Sequence, residues 1–361
     1  MLRLPPFRYH RPRELEEALE LLERHGEAAL PIAGGTDLIP NLKHRLFSPE
    51  HLVSLGHIPA LRGVQRVQDD DQEAGWISIG AMVTLAELSA HPLVRQRFPW
   101  LAAAAGQVAG PQLRNRGTVG GNLCLDTRCT YYNQTEFWRE ALGFCLKKDG
   151  TVCHVTRVGQ KCVAAHSADT PPVLLTLDAR VELAGPRGTR FVPLSEYFVP
   201  DGIWNSRRER DEIITRILIP ILAGFQEAPS QRPEGPARGE QAQSGARPGR
   251  LVGGYRKLRL RQSIDFPLLS VAVTGWVDPR HHVTGLRGVV SGLGSRPRVL
   301  TQWEELARGK RLDDAQVVEA LSERAVAQCH PLENLPVDPE WRRAMVGVEV
   351  RRALAQAARV T

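Results

Sequence analysis

Residues 31–43, PIAGGTDLIPNLK, pass from a short apolar run into a glycine doublet, Gly34–Gly35, and then into Thr36, Asp37 and a second apolar stretch beginning at Leu38. The pattern is that of a strand running into a glycine turn. It is neither a GxGxxG loop nor a GK[ST] phosphate loop. Consecutive glycine N–H groups can converge on an anion, with the Thr36 hydroxyl as a further donor, but a tight turn uses the same residues without any ligand. A second doublet, Gly120–Gly121, followed by Asn122, stands in LRNRGTVGGNLCLDTR (residues 113–128). Two such turns in one unit suit the two ends of a pyrophosphate, with Thr118 and Asn122 as side-chain donors. Asp169, in HSADTPP, is either an acceptor for a ribose hydroxyl or the cap of a helix opening near Pro171.

Around these turns the chain reads as mixed α and β. Residues 12–25 carry Leu15, Ala18, Leu19 and Leu22 on one face, and Gly26 follows as a stop signal. HLVSL (51–55), WISIG (76–80) and DEIITRILIP (211–220) read as strands, and TLAELSAHPLV (84–94) and FPWLAAAAGQVAG (98–110) as helices. Residues 227–250 are rich in Pro, Gly, Arg, Gln and Ser, with no aliphatic residue larger than alanine, a composition that builds no core. Beyond them, strands in 253–277 and 282–293 and helices in 301–309, 312–329 and 338–358 form a separate α+β unit. The expected division is 1–60, 61–222, a flexible loop at 223–250, and 251–361.

The 361 residues carry a net charge of +7, but the basic side chains are scattered among 40 acidic ones, which argues against nucleic-acid binding. No apolar run nears the length of a membrane span and the start lacks a secretory leader pattern, so the expected compartment is the cytoplasm.

Four of the six cysteines, Cys129, Cys145, Cys153 and Cys162, stand 16, 8 and 9 positions apart, with a turn signal, KKDGT (147–151), between the second and third. In a reducing compartment such a group binds metal or performs chemistry more often than it forms disulfides. Four thiolates suit an iron–sulfur cubane or a tetrahedral zinc; packed thiols and a catalytic thiol are the other readings. No C-x₂₋₄-C pair of the usual zinc kind occurs among these four. His154 and His166 read as surface or supporting groups, Cys329 as a packed or surface thiol, and Cys124 as a spare that lines a pocket or substitutes as a ligand.

PIAGGTDLIPNLK, LRNRGTVGGNLCLDTR, SADTPPVLLTLDARVEL (167–183) and LRLRQSIDFPLLSVAV (258–273) together resemble the FAD-binding medium subunits of the molybdenum hydroxylases, the family of xanthine and carbon monoxide dehydrogenases. The stretch at about 124–164, which ordinary members lack, is similar to the insertion in the beta subunits of 4-hydroxybenzoyl-CoA reductases, with the same four-cysteine spacing. The resemblance implies an α+β fold: a two-lobed FAD-binding domain of the vanillyl-alcohol-oxidase (PCMH) type and a C-terminal α+β domain. It implies FAD contacts from Ala33, Gly34, Gly35, Thr36, Asp37 and Leu38 and from Thr118, Gly120, Gly121 and Asn122, with Asp169 at the ribityl or phosphate region and Lys257 at the edge. Cys129, Cys145, Cys153 and Cys162 would hold a [4Fe–4S] cluster.

The implied partners are a large molybdopterin subunit and a small subunit with two [2Fe–2S] clusters, the three-chain unit being doubled. Ferredoxin would donate electrons that pass through the cluster, FAD and the [2Fe–2S] pair to molybdenum, where a ring hydroxyl is removed to give benzoyl-CoA. A related hydroxylase acting on another aromatic or heterocyclic substrate is the alternative, and a zinc-stabilised assembly or binding protein without redox role is a third. The long 227–250 segment and YFVPDGIWNSRRERDE (197–212) depart from the family texture.

Overall fold

The computed structural model describes residues 2–69, 72–156, 159–221 and 249–359. The loop expected at 223–250 therefore lies, but for its last two residues, outside the described part. Among the described residues no helix is long and apolar enough to cross a membrane.

The N-terminal lobe contains β1 (Arg8–His10), α1 (Leu15–His25), β2 (Ala29–Ile32), α2 (Leu38–Lys43) and β3 (His51–Ser54). Its three strands are parallel in the order β1-β3-β2. Helix α1 buries Ala18 and Leu22 and ends at Gly26, whose positive φ of 50° lets its N–H reach the Leu22 carbonyl.

The central lobe begins with β4 (Val64–Asp69) and β5 (Gln72–Gly80). Six short helices follow: α3 (Leu85–Ala90), α4 (Pro92–Arg97), α5 (Pro99–Gly106), α6 (Pro111–Arg114), α7 (Val119–Leu123) and α8 (Glu136–Leu142). It continues through α9 (Thr170–Thr176), β6 (Arg180–Gly185), β7 (Gly188–Pro193), α10 (Leu194–Tyr197) and β8 (Ile213–Pro220). The strands form an antiparallel sheet in the order β4-β5-β8-β6-β7. The helix expected over residues 84–94 is two helices. Thr84 and Glu87 close a capping box on α3, but His91 is extended because Pro92 disfavours helical backbone before it.

The C-terminal unit is a four-stranded antiparallel sheet of β9 (Arg250–Leu258), β10 (Leu269–Val277), β11 (Val283–Ser291) and β12 (Arg298–Val299), ordered β12-β11-β10-β9. Helices α11 (Trp303–Ala307), α12 (Ala315–Gln328) and α13 (Pro339–Arg359) complete it, and α13 packs on β9 and β10. Strand β9 lies between the central lobe and its own unit's α13: a side chain at Gly253 would strike the Trp100 ring of α5, and one at Gly254 the Ala353 carbonyl of α13. Trp100, Leu251, Tyr255 and Trp276 accordingly share one core with the central sheet.

Arg190 on β7 makes two hydrogen bonds to Glu212, at 2.7 and 2.8 Å, at the entry to β8. Burial pushes the Glu212 carboxyl up, but Arg190 and the Glu209 N–H outweigh it and hold the group below the ordinary glutamate value. A depressed carboxyl stabilises the fold above the ordinary carboxylate range, and that contribution is lost as pH falls through the depressed value. Glu212→Gln should therefore lower the denaturation midpoint at neutral pH. The gap to wild type should narrow as the pH is taken down through the carboxylate range; a gap constant with pH would show that Glu212 acts by packing alone.

Candidate functional site

The two glycine turns come from different lobes and touch. After β2 the backbone turns at Gly35, at φ 72°, and the Ile39 N–H donates to the Gly35 carbonyl at 3.0 Å as α2 begins. A Cβ at Gly34 would stand 1.8 Å from the carbonyl oxygen of Arg116, so the first turn lies backbone against backbone on the approach to the second. Built Cβ atoms at Gly117 and Gly121 would meet Thr36 Oγ1 at 3.3 Å and Ala33 Cβ at 4.0 Å. Thr118 is the N-cap of α7, and its hydroxyl accepts from the Gly121 N–H at 3.0 Å. Ala33–Leu38 and Thr118–Asn122 are thus brought together, with backbone from both loops at the seam.

Asp37 and Asn122 have partners within the protein. Asp37 pairs with Arg128 and accepts from Asn41 Nδ2 at 3.1 Å. Burial lowers the Arg128 guanidinium to about 10, and the Phe266 ring lies 4.3 Å from it. Asn122 Oδ1 accepts from the Thr170 N–H at 3.1 Å and its hydroxyl at 2.7 Å. It therefore satisfies an N-terminal N–H of α9, the task one reading gave to Asp169, which makes no capping bond. The Asp169 carboxylate instead accepts from Tyr255 Oη at 2.6 Å and Lys257 Nζ at 2.9 Å. The Asp169 and Lys257 side chains are 3% and 0% exposed. Burial raises the Asp169 carboxyl above its ordinary value, with Lys257 and Tyr255 pulling it back. Lys257 also donates to the Gln107 carbonyl at 3.1 Å. Asp169 and Lys257 form a buried joint between α9 and β9.

The cysteine stretch is a closed excursion. At its base Arg128 and Ala165 exchange backbone hydrogen bonds of 2.8 and 2.7 Å, so the chain leaves at Cys129 and returns at Ala164 side by side. Asn334 holds both arms, accepting from the Thr130 N–H through its carbonyl at 2.9 Å and donating from Nδ2 to the Val163 carbonyl at 2.6 Å. Arg139 on α8 anchors the excursion to the N-terminal lobe by donating to the His44 carbonyl at 2.8 Å. KKDGT makes its turn with Asp149 in the left-handed region, at φ 62°.

Cys129, Cys145, Cys153 and Cys162 all line one small chamber, with Tyr131, Tyr132, Lys147 and His154 among its walls. Backbone N–H groups point at the sulfurs: those of Tyr131 and Tyr132 at Cys129, of Val155, Thr156 and Val163 at Cys153, and of Ala164 at Cys162. Burial pushes the Cys129 thiol up, and Cys162 up to about 11. At Cys153 burial also raises, but hydrogen bonds led by Thr156 outweigh it and the thiol is lowered. Lys147 Nζ, 4.3 Å from the Tyr132 ring centroid, donates to Asp126 at 2.6 Å and to Thr127. Among the described residues no three of the sulfurs lie within 4.8 Å of one another.

His154 hydrogen-bonds the Phe144 carbonyl. His166 is no surface group: it is buried against Ser291 at 2.8 Å and Phe198, and burial lowers it to about 3. Cys124 is exposed and outside the chamber, 3.9 Å from Tyr197 Oη. Cys329 is packed in the C-terminal core. Sequence reasoning did not single out Arg128, Tyr255 or Asn334. Arg128 alone had a local signal, its place between the second glycine turn and the first cysteine of the set.

Residues 5–222 match the FAD binding domain in molybdopterin dehydrogenase, and residues 254–357 the CO dehydrogenase flavoprotein C-terminal domain. The chain belongs to the FAD-binding medium-subunit family of the molybdenum hydroxylases. It is 30% identical to the carbon monoxide dehydrogenase medium chain of Hydrogenophaga pseudoflava, over 97% of this chain and 96% of that one. To the nicotine 6-hydroxylase medium subunit of Paenarthrobacter nicotinovorans it is 28% identical over 99% of both. The solved carbon monoxide dehydrogenase of Hydrogenophaga pseudoflava superposes with a TM-score of 0.72 at 28% identity, covering 98% of each chain. The architecture is the expected one: a two-lobed FAD-binding fold of the vanillyl-alcohol-oxidase (PCMH) type with a C-terminal α+β domain.

Removing one partner of a buried pair leaves the other charge uncompensated. Lys257→Met should cost about 3–5 kcal/mol of stability by denaturant unfolding. The double variant with Asp169→Asn should recover part of that loss; a loss equal to the sum of the single variants would show that the two groups are not coupled. Gly34→Ala should lower the denaturation midpoint, read by denaturant unfolding, because the seam must open to admit a methyl group.

Proposed function

We propose that this FAD-binding electron-transfer subunit of a molybdenum-hydroxylase-type complex also carries a [4Fe–4S] cluster on Cys129, Cys145, Cys153 and Cys162. The observation that carries the reading is the chamber: four cysteines spaced 16, 8 and 9 positions apart line one chamber, and backbone N–H groups face three of the sulfurs. Such N–H groups stabilise ligated thiolates and tune a cluster's potential. The spacing favours a cubane over zinc, since one tetrahedral zinc at about 2.3 Å from each thiolate would draw the sulfurs to about 3.8 Å of one another. A cubane gives each thiolate its own iron and keeps the sulfurs farther apart.

The seam between the two glycine turns fits the flavin's pyrophosphate. Ala33–Leu38 and Thr118–Asn122 offer backbone N–H groups there, and Gly34 leaves no side chain in the way. Bound flavin and cluster supply the redox chemistry, and the chain supplies position and electrostatics. Arg128 links the two sites, because it pairs with Asp37 of the first turn and precedes Cys129 directly. Asp169 and Lys257, paired in the buried joint between α9 and β9, complete the proposed flavin contacts. A large molybdopterin subunit and a small subunit with two [2Fe–2S] clusters complete the proposed complex, as a dimer of heterotrimers.

For the substrate, the relatives favour a hydroxylase acting on another aromatic or heterocyclic compound, since the matched nicotine 6-hydroxylase is named for an N-heterocycle. The cysteine excursion favours a second reading, 4-hydroxybenzoyl-CoA reductase fed by ferredoxin, in which the extra cluster admits low-potential electrons. The assembled complex separates them. Benzoyl-CoA formed from 4-hydroxybenzoyl-CoA and reduced ferredoxin supports the reductase, and dye-coupled oxidation of N-heterocycles without dehydroxylation supports the hydroxylase.

The purified complex should contain, per copy of this chain, one FAD and about four iron and four sulfide beyond those of the small subunit. Cys129→Ser should remove these four irons as completely as Cys153→Ser, while Cys124→Ser keeps them. Stoichiometric zinc in place of the extra iron would overturn the cluster assignment.

A further inference from the structure

We infer that His10, His25 and His51 form a separate binding site for a zinc-class divalent cation on the N-terminal lobe. The three imidazoles come from three elements: His10 ends β1, His25 ends α1 and His51 opens β3. Each offers a ring nitrogen, and the three nitrogens lie within 4.8 Å of one another. His10 Nε2 and His51 Nδ1 are 2.9 Å apart, and the rings of His25 and His51 stack with centroids 3.7 Å apart. The set is all nitrogen, the donor type preferred by zinc, copper and nickel over magnesium or calcium. At about 2.0–2.1 Å from the metal, nitrogens of a tetrahedral site stand about 3.4 Å apart. The present spacing brackets that value, so side-chain rotation that opens the stack and gives up the His10–His51 hydrogen bond is enough to make the site.

His51 is buried while His10 and His25 are half-buried, which holds the metal at the edge of the lobe with a fourth position open to water. His25 is also the last residue of α1, where the negative end of the helix dipole favours a cation. The site is apart from the flavin turn. His51 pairs with Ala29 at the start of the parallel strands, whereas the glycine turn leaves their other end at Ile32, about 10 Å along a four-residue strand. A bound metal would tie β1, β3 and the end of α1 together, and this holds whatever the substrate of the complex.

The test is titration of the intact protein, carrying its flavin and cluster, with Co²⁺ and then Zn²⁺. The expected result is one Co²⁺ per chain with d–d absorption and no added thiolate charge-transfer band, displacement by Zn²⁺, and a higher melting temperature with Zn²⁺. His10→Gln and His25→Gln, both at half-buried positions, should each weaken Zn²⁺ binding at least tenfold and abolish the thermal shift. Equal uptake by wild type and both variants, a thiolate band with the cobalt, or no saturable binding below millimolar Zn²⁺ would overturn the assignment.

Discussion

Much of this structure hangs on a buried arginine. Arg128 follows the second glycine turn, pairs with Asp37 of the first, packs on Phe266 of the C-terminal unit and opens the cysteine excursion through its backbone pair with Ala165. Taking a guanidinium out of water is costly unless its charge is matched, and Asp37 supplies the match from another lobe. The N-terminal lobe must therefore dock correctly before the base of the excursion is electrostatically satisfied. The seam between the glycine turns and the base of the excursion thereby share one ion pair.

The excursion is bound to all three parts of the chain. Arg139 fastens it to the loop after α2, the Arg128–Ala165 pair to the central lobe and Asn334 to the C-terminal unit. A metal chamber on a surface loop would be only as ordered as the loop. Here its cysteines hang from backbone fixed at several points. That rigidity suits electron transfer, which needs two carriers held at constant separation while neither moves.

What could be read from sequence was local. The glycine doublets, the α1 stop at Gly26 and the four-cysteine set each lie within one segment, and their chemistry follows from residue type and spacing. The longer-range pairings were not legible. Asp169 meets Lys257 across 88 positions and Arg128 meets Asp37 across 91, and no periodicity encodes such contacts. Asp169 shows the cost of a local reading: a helix N-cap is the economical assignment, yet Asn122, 48 positions before Thr170, takes that residue's α9 N–H and leaves Asp169 to the buried joint.

The two candidate metal sites make the same point through their construction. The cysteines lie on one excursion with turn residues between them, so a ligand set is among the readings their spacing offers. The histidines lie on two strands and a helix, 15 and 26 positions apart, and none has a second histidine or a cysteine within four positions. Their convergence is a product of sheet order: β3 runs between β1 and β2, its first residue His51 stands opposite Arg8, and His10 two residues farther along β1 reaches back to His51 while the end of α1 brings His25 to the same corner. A donor set assembled by topology becomes visible only once the strand order is known.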